Sequence, residues 1–179
     1  MSSICELQCN GCDFKQSFWM PYGSHFYRLT NDLEVPILID TVWCGHCNEV
    51  VMGEKLISPL EIDSELERCG VGKKFAFGWW GETGYWQSLR LSLLWSNKSL
   101  SREAYISVVQ SIREWRNARR SPPKCLSCNS VHLQVIPIEL TFPHPGCSGM
   151  ISCTNFCMAS TSWEIIQFSG EGDLLEDTE

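Results

Sequence analysis

Eleven cysteines in 179 residues set the chemistry this chain can do. Three Cys-x-x-Cys turns, Cys9/Cys12, Cys44/Cys47 and Cys125/Cys128, are joined by a fourth turn in which His144 and Cys147 keep the same spacing. Donors spaced this way suit zinc, because a tight turn aims both at one ion while supplying only half of a tetrahedron. Two turns therefore make one site. Taken in chain order, Cys9, Cys12, Cys44 and Cys47 complete a four-thiolate site, and Cys125, Cys128, His144 and Cys147 complete a second, so the expected cofactor is two Zn2+ per chain. Cys153 or Cys157 in place of His144 is the alternative for the second site. His46 is expected outside the coordination sphere, since Cys44 and Cys47 already take the positions beside it, and His25 is expected near the surface or behind a ligand.

Turns of this kind need strands to hold them. Residues 14–20, 36–43 and 50–57 read as strands running from and into the first two turns, and residues 131–140 alternate as a strand between the third and fourth. Ser58-Pro59-Leu60-Glu61 is a helix start: Ser58 can cap, Pro59 needs no amide partner, and Glu61 can reach back to the cap. That helix should end at Gly70, with Ile62, Leu66 and Cys69 on one face. Tyr105, Val108, Val109, Ile112 and Trp115 recur at helical spacing across residues 101–120, with Arg113, Arg116, Arg119 and Arg120 gathered at the C-terminal end before Ser121-Pro122-Pro123 stops the helix. Residues 73–95 hold four of the eight tryptophans, broken by glycines into a turn-rich loop expected to fill the space between two small units. The expected class is α+β: a zinc ribbon over 1–57, a helical, tryptophan-rich basic middle over 58–124, a second ribbon over 125–168, and a frayed acidic tail over 169–179.

Residues 5–57 and 125–168 each resemble a zinc ribbon, in which two hairpin turns clamp one ion and short strands extend from them. Residues 35–47 also resemble the active-site segment of thioredoxins and protein disulfide isomerases, where an apolar strand enters a Trp-Cys-Gly-His-Cys turn. That second resemblance implies thiol–disulfide exchange at Cys44 and Cys47. The residues that follow depart from it: 50–57 are β-branched and broken by Gly53 rather than helical, no proline occurs from 60 to 121 to serve as the family's cis-proline loop, and Cys9 and Cys12 are left without a role. Zinc accounts for all of them.

The net charge of −7 is unevenly placed. Residues 1–72 carry 4 basic and 11 acidic side chains, 73–124 carry 10 and 3, and 125–179 carry none and 7. Four thiolates on one zinc and three with a histidine on another would take the whole to about −10. No activated nucleophile, phosphate-cradling loop or open metal position is recognisable, which points to a non-enzymatic protein acting by binding. An acidic surface favours a basic protein partner, met through Glu61, Asp63, Glu65 and Glu67, as in an immunity or antitoxin protein or an adaptor. The alternative partner is nucleic acid, met through Arg113, Arg116, Arg119 and Arg120 with Trp79 and Trp80 stacking on bases. Neither a secretory opening nor a membrane-length apolar run is present, so a reducing cytoplasm is the expected compartment.

Overall fold

Period-two burial begins at the N-terminus, where Cys5, Leu7 and Cys9 are buried and Glu6 and Gln8 face outward, the pattern of a strand with one wet face. In the computed structural model, which describes residues 2–20, 24–29, 32–70, 86, 89, 101–137, 139–159 and 165–175, this strand is β1 (Ser2–Cys9). It pairs antiparallel with β2 (Lys15–Met20) on one edge and with β9 (Met150–Ala159) on the other, and β8 (Phe142–Pro143) completes a four-stranded sheet in the order β2-β1-β9-β8. A second sheet sets β3 (Ser24–Arg28) between β4 (Glu34–Pro36), antiparallel, and β10 (Ile165–Ser169), parallel. The third places β5 (Leu38–Cys44) between β6 (Glu49–Lys55) and β7 (Leu133–Val135), both antiparallel to it.

Every sheet thus joins strands from the two ends of the chain. The α+β class holds, but the ribbons expected over 1–57 and 125–168 do not form as separate units. The hairpin β1–β2 leaves one edge of β1 unpaired, and β9 supplies the partner from about 150 residues away in sequence. The strand expected over 131–140 is also shorter, because Pro137 has no amide for the ladder and Leu140, at φ 50°, turns back to donate to the Pro137 carbonyl at 3.0 Å.

Both anticipated helices form. At α1 (Pro59–Gly70) the Ser58 amide donates to Glu61 Oε2 at 3.0 Å and the Glu61 amide to Ser58 Oγ at 3.2 Å, a reciprocal capping box. The second, α2 (Arg102–Ala118), is capped by Ser101 Oγ, which accepts from the Ala104 amide at 3.1 Å. Ile62, Cys69, Tyr105, Val109 and Ile112 from the two helices form one core with Tyr27, Val35 and Phe168 of the second sheet. Leu89 is buried in it and Trp86 packs against it; the rest of the 73–95 loop, including Trp79 and Trp80, lies outside the described residues. Residues 169–175 were expected to fray with the tail. Instead they fold back, Ser169 donating its amide to the Asp173 carbonyl at 2.7 Å and Lys124 Nζ meeting Asp173 at 2.6 Å.

Candidate metal centres

Cys9 closes β1, and Cys12 follows in the turn to β2; His144 and Cys147 occupy the turn between β8 and β9. Because β1 and β9 are hydrogen-bonded neighbours, these two turns meet. The Asn10 amide donates to the Met150 carbonyl at 3.0 Å and the Met150 amide to Asn10 Oδ1 at 2.8 Å. Cys9 Sγ then lies 3.5 Å from Cys147 Sγ, and His144 Nδ1 lies 3.3 Å from Cys12 Sγ and 3.2 Å from Cys147 Sγ. Cys44 at the end of β5 and Cys47 in the following turn meet Cys125 and Cys128 in the same way, with Cys44 and Cys128 sulfurs at 3.6 Å and Cys47 and Cys125 sulfurs at 3.9 Å.

All four donor atoms of each set lie within 4.8 Å of one another. A tetrahedral zinc with bonds of about 2.3 Å to sulfur separates its thiolates by about 3.8 Å, so the sulfur–sulfur spacings are those of a set gathered for one ion. The eight residues are the ones expected from sequence, but their partition is different. Cys9 and Cys12 join His144 and Cys147, not Cys44 and Cys47, and the sets are nested: an inner centre of Cys44, Cys47, Cys125 and Cys128 within an outer one. Cys153 belongs to neither, being joined to Cys5 in a disulfide between β1 and β9, and Cys157 is exposed on β9. His46 is exposed, as expected for a residue outside the sphere, whereas His25 is buried and stacked against Phe168 with ring centroids 6.2 Å apart.

Local sequence explains which turns belong together. The inner turns are both Cys-x-x-Cys-Asn: Asn48 and Asn129 take φ of 57° and 60° and return their amides to the carbonyls of Cys44 and Cys125 at 2.8 and 2.9 Å. Both outer turns instead carry Cys-x-Gly. Gly11 and Gly149 each donate their amide to the sulfur two residues earlier at 3.3 Å, and a Cβ on Gly149 would stand 2.6 Å from Gly11 N and 2.7 Å from Cys9 Sγ. Only glycines allow these two backbones to touch.

Ligating histidines ordinarily donate their second nitrogen to an acceptor. His144 Nε2 is buried with no hydrogen-bond partner among the described residues; the ring lies 5.0 Å from that of Phe14 and 5.3 Å from that of Trp43. Aromatic packing therefore fixes its orientation. Trp43 is also the chain neighbour of Cys44, so one buried ring touches the outer centre while its backbone carries the inner one.

The thiols in both sets feel opposed influences. Burial, the largest, pushes Cys9 and Cys44 up, but backbone N–H groups from Gly11 and from Cys47 and His46, helped by neighbouring thiols, bring both below the ordinary thiol value. Cys47 and Cys125 are pushed up, burial first. At Cys147 the Gly149 amide pulls down, yet burial and hydrogen bonds with Cys9 and Cys12 outweigh it. One thiolate in each set is favoured and its neighbours resist a second, a conflict that a divalent cation relieves by neutralising thiolates as they form.

The other expected surfaces fare unevenly. Glu61 and Glu67 are exposed on α1, and Asp63 is half-exposed and paired with Arg113 at 3.1 Å. Glu65 is not on that surface: it is buried, accepting from Tyr105 Oη at 2.7 Å and from Arg68 Nη2 at 2.6 Å, because it shares the inward face with Ile62 and Cys69. Nor do the four arginines form one basic face. Arg119 is fully buried against Glu54 at 2.6 Å, Arg116 donates to the Ile57 carbonyl at 3.0 Å, Arg113 holds Asp63, and Arg120 stands exposed. Sequence reasoning passed over Glu54, Tyr27 and Trp43; a glutamate inside an otherwise apolar β-branched strand was the signal for the first. No helix of the described residues is long and apolar enough to cross a membrane. No protein-family model, curated protein or solved structure matches this chain.

Proposed function

We propose that this chain is a two-zinc binding scaffold, in which the metal ions hold interleaved sheets together and a protein partner is met on the acidic outer face. The observation that carries the reading is the completeness of the two donor sets. Each gathers four protein donors, three or four of them thiolates, which is the structural type of zinc site; catalytic sites keep a position for water. Thiolate and imidazole donors favour zinc over the oxygen-preferring cations.

Support for a basic protein partner comes from Glu61 and Glu67, exposed on α1 of a chain whose net charge is −7 before metal binds. Burial of Arg119 and the engagement of Arg113 and Arg116 weigh against the nucleic-acid alternative. Metal analysis of protein purified without chelator tests the first half, with two zinc ions per chain expected. The second half is tested by anisotropy titrations against single- and double-stranded DNA and RNA at two salt concentrations. Weak binding at physiological salt is expected; tight binding that falls steeply with salt and depends on Arg120 would assign the chain to nucleic acid instead.

A further inference from the structure

Resting on the two-zinc reading, we infer that Glu54 is the positioning residue of the inner metal centre, fixing where Cys125 enters the coordination sphere without binding metal itself. The inner centre is assembled from two chain segments remote in sequence: the β5–β6 hairpin brings Cys44 and Cys47, and the segment after α2 brings Cys125 and Cys128. Glu54 lies on the hairpin and holds both backbone groups of Lys124, the residue before Cys125. Its amide donates to the Lys124 carbonyl at 2.8 Å, and its Oε2 accepts from the Lys124 amide at 2.8 Å. Next along each segment, the Leu126 amide donates to the Met52 carbonyl at 3.0 Å.

That carboxylate is itself held rigid. Tyr27 Oη donates to Oε1 at 2.9 Å and Arg119 Nη2 to Oε2 at 2.6 Å, with both charged side chains fully buried. The guanidinium lies over the rings of Tyr27 and Trp115, at 5.3 and 5.7 Å from their centroids, and Arg119 Nε donates to Ser121 Oγ at 3.1 Å. Gly172, at φ 83°, closes over the pair; a Cβ there would stand 2.3 Å from Glu54 Oε1. A charged acceptor this constrained has one position to offer the Lys124 amide, and so places Cys125, itself fully buried, beside Cys47. The outer centre shares none of these bonds.

Cobalt(II) titration of the full chain separates the two centres, because a four-sulfur site and a three-sulfur, one-nitrogen site differ in their d–d bands. In E54Q the four-sulfur centre should lose about tenfold or more in cobalt affinity, while the three-sulfur centre moves by less than about twofold. Should E54Q fail to fold, Lys124→Pro removes the single amide that Glu54 holds and leaves the Arg119 pair in place. It should weaken the four-sulfur centre selectively, and Lys124→Ala should not. Equal losses at both centres, which general destabilisation would give, or an unchanged four-sulfur centre in Lys124→Pro would overturn the assignment. Wild-type protein without a four-sulfur spectrum would overturn the two-zinc reading beneath it.

Discussion

The inner and outer centres solve the same coordination problem with different means. The inner one has two like turns, each ended by a left-handed asparagine, and a buried ion pair behind it. The outer one has two glycine-backed turns in direct contact, an exposed Cys12, and a histidine oriented by aromatic rings instead of an acceptor. Nesting adds an order to this contrast. Between Cys47 and Cys125 lie 77 residues, and between Cys12 and His144 lie 131. Once the inner centre closes, the outer loop is reduced to the 31 residues 13–43 and the 15 residues 129–143. Loop-closure entropy alone then favours outer closure by about fivefold. The comparison teaches that the inner centre organises the fold and the outer one seals its ends.

Breaking the inner centre should therefore have the largest effect. Cys125→Ser is expected to lose both metals and the cooperative unfolding transition, since structural zinc contributes about 10–16 kcal/mol in small sites; metal analysis with circular dichroism reads it. A folded variant retaining one ion would reverse the assigned order. Next is Arg119→Met, which strands Glu54 in the interior and should cost about 3–5 kcal/mol in urea denaturation of the metal-loaded protein. A change below 1 kcal/mol would mean that the pair is dispensable. Gly149→Ala forces the outer turns apart and should cost about 1–3 kcal/mol, with metal loss to a chelator accelerated at the outer centre only. The smallest effect belongs to Ser58→Ala at the α1 cap, remote from both centres: about 1 kcal/mol by thermal unfolding, with two metals retained. If either metal were lost more readily there, the centres would not be local devices.

Where one kind of residue had one reason to be present, the fold was readable from the chain. The Ser58/Glu61 capping box, the α2 stripe and the eight donors all belong to this group. Strands β1 and β9 went unread because their alternation is written in cysteines, which count as ligands when spacing is considered and as buried apolar residues when packing is. Pairing turns in chain order favoured the nearest partner, although Cys-x-x-Cys-Asn at 44–48 and 125–129, and Cys-x-Gly at 9–11 and 147–149, mark the true couples. Arg119 and Glu65 were placed on surfaces by their charge. Their burial depends on Glu54 and on Tyr105 and Arg68, partners that only tertiary structure brings within reach.

Nested pairing is the central claim, and Cys12→Ser with cobalt(II) tests it most directly. Both the nested and the chain-order partitions contain one four-sulfur and one three-sulfur, one-nitrogen centre, so the wild-type spectrum cannot tell them apart. Cys12 belongs to the histidine-containing centre in the first and to the all-cysteine centre in the second. The nested arrangement predicts that Cys12→Ser loses or shifts the three-sulfur, one-nitrogen bands and leaves the four-sulfur bands intact. Loss of the four-sulfur bands with the histidine-containing centre untouched would contradict it.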